Sequence, residues 1–264
     1  MYKFAKDAEM KIWYMNGAGN SFCIADARNE KFDMSALAVR LCRERGCDGF
    51  MALEKSETAD FKLNFYNEDG SRAEMCGNGA RCICRFAYEN SIAGEKMTVE
   101  TDAGELFGER VSESRYRIRL NLPQNITLNK IQGVDYAVVG VPHAVIKRDT
   151  LDWSTSDELF ESARELRYHE CFERGANVSF YAFEGVDTVR ILTYERGVEG
   201  FTKACGTGSG ALAAILWHKG ELSSSTVTVK NCGGDLSVII GSNGREITEL
   251  YLEGETEIDG IKEC

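Results

Sequence analysis

Met75-Cys76-Gly77-Asn78-Gly79-Ala80-Arg81 and Ala204-Cys205-Gly206-Thr207-Gly208-Ser209-Gly210 set two cysteines in near-identical surroundings, about half a chain apart. Each motif follows an acidic–polar turn and opens an apolar run. Glycines behind each cysteine let backbone N–H groups approach a ligand closely. If each motif starts a helix, each sulfur sits where the helix dipole favours negative charge. That setting lowers a thiol's pKa and makes thiolate available near neutrality.

The similarity spreads outward from the cysteines. Phe61-Lys62-Leu63-Asn64-Phe65-Tyr66 precedes the first, and Thr188-Val189-Arg190-Ile191-Leu192-Thr193-Tyr194 precedes the second. Both read as strands entering a turn. A helix follows each cysteine, then strands at Lys96–Thr101 and Ser225–Lys230, and further strands at Tyr116–Leu122 and Glu249–Glu253. The beginnings match more loosely. Asn16-Gly17-Ala18-Gly19-Asn20-Ser21-Phe22 aligns with Val139-Gly140-Val141-Pro142-His143-Ala144-Val145, so His143 is the counterpart of Asn20. The expected fold is α/β, in two pseudo-symmetric halves. Residues 1–125 carry Cys76, residues 126–264 carry Cys205, and a linker lies near Pro123–Lys130.

A chain of 264 residues suits two ordinary domains. With 43% hydrophobic and 28% charged residues, the composition is that of a globular protein. A net charge of −11 argues against nucleic-acid and anionic-membrane partners. No run is long enough to span a membrane, and Met1–Met10 lacks the apolar core of a secretory leader. The expected location is the cytoplasm, where the ten cysteines stay reduced. Cys23, Cys42, Cys82, Cys84, Cys171 and Cys232 read mostly as small buried hydrophobes, and Cys264 as an inert terminal residue.

Two facing thiols would place an acid and a base on opposite sides of one carbon, an arrangement that inverts a stereocentre. The α-proton of an amino acid is very weakly acidic, so its carbanion must be stabilised. Backbone N–H groups at Gly77, Asn78, Gly206 and Thr207 are placed to bind the α-carboxylate, where charge accumulates. Such chemistry needs no cofactor and no metal. A thiol has an unperturbed pKa of about 8.5, and the resting pair would hold one thiolate and one thiol.

Other readings compete. Gly206-x-Gly208-x-x-Ala211 matches a dinucleotide fingerprint, but a long gap separates it from the strand ending at Tyr194. Cys76, Cys82 and Cys84 could suggest zinc, yet the chain has no C-x-x-C pair and no H-x-x-x-H. His218 reads as a helix C-terminal residue, His169 as a surface residue, and His143 as a candidate for the site. A thiol-rich redox or metal-binding protein would explain ten cysteines, but not two glycine-flanked ones in repeated halves.

These residues resemble the diaminopimelate epimerases, a family of cofactor-independent two-cysteine enzymes. The resemblance covers essentially the whole chain. It rests on Gly17-Ala18-Gly19-Asn20, Phe65-Tyr66-Asn67-Glu68-Asp69-Gly70-Ser71, Glu74 to Cys82, Tyr194-Glu195-Arg196-Gly197 and Ala204 to Gly208. It implies a curled mixed sheet around a central helix in each half, with the site in the cleft between them. It implies Cys76 and Cys205 as the acid–base pair, with Gly77, Asn78, Gly206 and Thr207 on the α-carboxylate. Asn20 and Glu195 would line the reacting end, and Asn67, Asn177 and Arg196 would hold the distal end of a small amino-acid substrate. A homodimer is the assembly considered.

Four positions depart from the family pattern. Val141 stands where asparagine is common, Gly200-Phe201-Thr202 replaces Gly-Glu-Thr, Ser21 replaces aspartate, and Gly46-Cys47-Asp48-Gly49 is a shortened loop. Val141 and Phe201 leave open a racemase of another amino acid, such as histidine.

Overall fold

The computed structural model describes residues 10–30, 32–73 and 76–263. Glu74 and Met75 of the first motif lie outside the described residues. So do the expectations for Cys264 and for the first nine residues of the leader reading.

The chain divides into two compact units. One holds the chain up to Ile118 together with the segment from Glu255 onward; the other is Arg119–Gly254. The first unit opens with β1 (Lys11–Gly17) and β2 (Asn20–Asp26). They meet in a turn at Ala18 and Gly19, whose φ values of 50° and 85° are both positive, the geometry that follows strand twist in a two-residue hairpin. α1 (Met34–Arg45) then leads to β3 (Gly49–Glu54), parallel to β2. Asp33 starts α1 by accepting from the Ala36 amide at 3.0 Å. Gly46 ends it in the left-handed conformation at φ 67°. β4 (Phe61–Asn67) runs antiparallel to β3, with the short β5 (Arg72–Ala73) beside it. α2 (Gly77–Glu89) crosses to β6 (Lys96–Thr101), parallel to β4. β7 (Gly104–Arg110) and β8 (Arg115–Arg119) follow antiparallel.

The second unit repeats this order. After β9 (Gln124–Ile131) come β10 (Val134–Val139) and β11 (Val141–Lys147). α3 (Ser156–Arg167) leads to β12 (Asn177–Gly185), parallel to β11. β13 (Thr188–Glu195) pairs with β12 and with the short β14 (Gly200–Thr202). α4 (Gly206–Lys219) crosses to β15 (Thr226–Asn231), parallel to β13. β16 (Gly234–Ser242) and β17 (Ile247–Glu255) complete the run.

One helix of each unit is central. α2 touches β1, β2, β3 and β7, strands far apart in its sheet, so the sheet curls around it. α4 likewise touches β9 to β12 and β16. Ala211 through Leu216 are all buried, as expected of a helix that is apolar all round. Each fully buried Leu or Ile contributes about 1.5–3 kcal/mol. α1 and α3 cover other parts of the sheets over separate apolar clusters, centred on Leu41 and Phe50 and on Leu159 and Phe180.

Three sequence expectations need correction. The proposed linker at Pro123–Lys130 is largely the strand β9, which pairs antiparallel with β10. A final strand, β18 (Glu257–Glu263), pairs antiparallel with β1. The last strand of each repeat therefore joins the sheet of the other, and a single cut at 125/126 does not describe the units. Cys171 and Cys232 are exposed rather than buried. They sit in the turns after α3 and between β15 and β16, where no sheet or helix covers them.

Truncation after Glu255 should strip β1 of its outer partner. Hydrogen exchange should then show lost amide protection in β1 and retained protection in β10. Protection of β1 unchanged by the truncation would contradict the exchange of final strands.

Candidate active site

Each cysteine is the N-cap of its central helix, with extended backbone: φ −124°, ψ 123° at Cys76 and φ −115°, ψ 109° at Cys205. Helix geometry gives first-turn amides no intrahelical acceptor, so this is where a carboxylate is best received. Cys76 is half-buried. Gly17 lets the β1–β2 turn close on α2: a Cβ there would lie 2.9 Å from the Asn78 carbonyl oxygen and 3.0 Å from Cys82 Sγ. Across that contact Asn78 Nδ2 donates to Asn20 Oδ1 at 2.7 Å. Asn20 Nδ2 in turn donates to Asp48 Oδ2 at 3.3 Å, and the same carboxylate oxygen accepts from the Ser21 amide at 2.8 Å. Asn67, at the end of β4, donates to Ser71 Oγ at 2.9 Å.

In the second unit Cys205 is only 4% exposed. Its Sγ accepts from the Gly208 amide at 3.4 Å and lies 3.6 Å from Thr207 Oγ1. Thr207 Oγ1 also lies 3.1 Å from His143 Nε2. The sequence match between His143 and Asn20 thus has a structural meaning. Each stands on the second strand of its hairpin and bonds the residue two beyond the cysteine. Glu195 Oε1 accepts from Thr202 Oγ1 at 2.5 Å. Asn177, buried at the start of β12, accepts from the Arg196 amide at 2.8 Å, and Arg196 Nη1 donates to the Arg174 carbonyl at 2.9 Å.

The electrostatics of the second unit differ from the expectation of a lowered thiol. Burial pushes the Cys205 thiol well above its ordinary range, and the neighbouring Glu195 carboxylate pushes it further. The Thr207 and Gly208 bonds oppose this but do not overcome it. Glu195 is itself raised by burial, against its bonds to Thr202 and Cys205. The fully buried His143 falls to about 3 through burial and the nearby Arg196 charge. It is therefore a neutral imidazole, and its Nδ1 has no partner among the described residues.

Within the first unit Asn20, Gly77 and Asn78 gather at Cys76; Asn67 ends the strand that leads towards it. Within the second, Glu195, Gly206, Thr207 and, through Thr207, His143 gather at Cys205, while Asn177 and Arg196 bond each other. Sequence reading passed over Thr202, which holds the Glu195 carboxyl, and Asp48, which anchors Asn20. It also passed over Arg81, whose side chain is completely buried. The visible signal for Arg81 was a charged residue inside the apolar run of α2. Phe201, read as a departure near the distal end, packs edge-on against Tyr194 with ring centroids 5.6 Å apart.

A buried neutral histidine ties stability to pH. Its folded pKa lies below the unfolded value near 6.5, so the stability it confers is present above 6.5 and is lost as pH falls towards about 3. Between pH 8 and pH 5 this site should cost roughly 2 kcal/mol. Denaturant unfolding should show His143→Gln losing that much less stability than the parent over this range. Equal pH slopes for the two proteins would contradict the assignment.

The diaminopimelate epimerase family pattern matches residues 12–118 and 136–258. The diaminopimelate epimerase of Aquifex aeolicus is 35% identical over 269 residues, covering 93% of this chain and 94% of that protein. That of a Hydrogenobaculum species is 37% identical, covering 94% and 95%. Among solved structures, a phenazine biosynthesis protein of the PhzF family from Bacillus anthracis superposes with a TM-score of 0.74 at 15% identity, covering 98% of this chain and 99% of that one. A probable proline racemase from Agrobacterium radiobacter gives 0.67 at 15% identity, covering 97% and 92%. Both show a shared fold. By the extent of the pattern and the level of identity, the chain belongs to the diaminopimelate epimerase family.

Proposed function

We propose that this protein interconverts LL- and meso-diaminopimelate by two-base proton transfer at the α-carbon, as an isomerase. The observation that carries the reading is the repeated one: in each unit a cysteine caps a buried helix, and a side chain from the neighbouring hairpin bonds the residue two beyond it. One cysteine takes the α-proton as thiolate while the other, as thiol, returns a proton to the opposite face. The amides of Gly77, Asn78, Gly206 and Thr207 receive the α-carboxylate as it gains charge. Neutral His143 fixes Thr207 without adding a charge, and Asn20 does the same for Asn78. Asn67, Asn177 and Arg196 serve the distal amino-acid end, Arg196 as a planar fork for a carboxylate. No pyridoxal phosphate, metal or nucleotide enters the scheme. The reading sets the protein in the cytoplasm, where thiols stay reduced.

Racemisation of another amino acid is the second reading, motivated by Val141 and Phe201. The aromatic packing of Phe201 weakens that case, because the ring is engaged with Tyr194 rather than offered to a ligand.

Specificity constants for LL-diaminopimelate, lysine, histidine and glutamate should rank diaminopimelate first. Arg196→Ala should lose that preference selectively, at a cost of about 2–5 kcal/mol if the guanidinium pairs a desolvated carboxylate. A preference for histidine that Arg196→Ala leaves intact would refute the distal assignment. Cys76→Ala and Cys205→Ala should each abolish epimerisation, since inversion needs a group on each face. Full activity in either variant would rule out the two-base scheme.

A further inference from the structure

Arg81 heads the largest fully buried side chains among the described residues. A guanidinium does not lose its proton at accessible pH, and burying such a charge without compensation is costly. Nη1 donates to the Gly77 carbonyl at 3.3 Å and Nη2 to Asn78 Oδ1 at 2.9 Å, while Nε has no partner among the described residues. No carboxylate among the described residues pairs with it, whereas the half-buried Arg117 has Glu109 at 2.6 Å. Among the described residues, the charges that act on Arg81 are those of the Cys82, Cys76 and Cys84 thiols and of the Arg115 guanidinium from β8. Burial holds the Cys82 and Cys84 thiols up at about 12, so neither supplies a negative charge near neutrality. Among the described residues that act on it, Cys76, at the head of the same helix, is the remaining anion source.

The second unit lacks this device. Five residues beyond Cys205 stands Gly210, where even a Cβ would lie 2.6 Å from Leu120 Cδ1. Beside Cys205 is the carboxyl of Glu195, whose counterpart ahead of Cys76 is the neutral Asn67. The first half thus carries a buried cation where the second has glycine, and the second carries a buried carboxyl where the first has asparagine.

We propose that Arg81 is a positioning residue whose buried charge is the counter-ion of Cys76, so that the resting protein holds Cys76 as thiolate and Cys205 as thiol. Through Gly77 and Asn78 the same side chain fixes the first turn that receives the substrate carboxylate. This rests on the proposed function only in taking the two cysteines as the acid–base pair.

The test is iodoacetamide alkylation of each cysteine, mapped by mass spectrometry from pH 5.5 to 10 on substrate-free protein. In the parent, Cys76 should alkylate with a midpoint below the unperturbed thiol value of about 8.5. In Arg81→Gln, checked for fold by circular dichroism, the midpoint should rise by at least about one unit. That corresponds to a roughly tenfold slower reaction near neutrality, and Arg81→Lys should recover part of it. The Cys205 midpoint should stay high in all three. A parent midpoint at or above about 8.5, or an unchanged midpoint in folded Arg81→Gln, would overturn the proposal. If the glutamine variant does not fold, the parent midpoint decides. No substrate takes part, so a protein that fails to epimerise diaminopimelate but shows the low Cys76 midpoint overturns the functional reading and leaves this one standing.

Discussion

A helix N-terminus presents amides that its own turns leave without acceptors, and burying it demands that something else receive them. Here each unit sets such an end within a curled sheet with cysteine at the N-cap position, and in the second the Cys205 sulfur accepts from the Gly208 amide. Much else in both halves follows from that constraint. The β1–β2 hairpin must come close enough to bond Asn78, which requires a glycine at position 17. The β10–β11 hairpin must deliver a side chain to Thr207, and a histidine buried and held neutral does this without introducing a charge. The short β5 and β14 return the chain from β4 and β13 to the helix start, which sets Asn67 and Glu195 at matching positions.

Duplication gives two copies of this end, but a proton transfer that inverts a centre needs its two groups in different states. The copies are accordingly unequal. Burial and a neighbouring acid hold Cys205 protonated, while a buried arginine that pairs with no carboxylate among the described residues lies in the helix that Cys76 heads. A helix dipole is worth only about 0.3–1 kcal/mol at exposed sites, and up to about 2 when partly buried. It would act alike on both thiols, so the difference between them comes from depth of burial and from neighbouring side chains. The exchange of β9 and β18 ties the repeats together through the chain itself, since each sheet is completed by the final strand of the other repeat.

Much of this was legible in the sequence because the repeat repeats its signals. The glycine-flanked cysteines marked both helix starts, the alternating runs before them marked β4 and β13, and the Gly17 and Gly140 segments were matched to each other, though not as hairpins. The pairing of His143 with Asn20 was readable from alignment of the halves alone. What was not legible depended on contacts distant in sequence. β9 lies where a linker was expected because its residues are mostly exposed and lack an apolar alternation. β18, exposed along most of its length, is held by backbone bonds to β1 that no side-chain pattern announces. The raised Cys205 thiol came from depth of burial and from Glu195, neither of which a helix-start motif reveals. Cys171 and Cys232 look apolar by residue type, yet they fall in turns.

The central claim is that the proton leaving the substrate and the proton entering the product belong to different groups. Epimerisation of LL-diaminopimelate in deuterated water, stopped at low conversion, tests it most directly. The account predicts that the meso product carries deuterium at the inverted carbon in essentially every molecule, while recovered LL substrate remains protiated. Protium retained at that carbon in a substantial share of the product would show that one group both removes and returns the proton, and would contradict the two-thiol account.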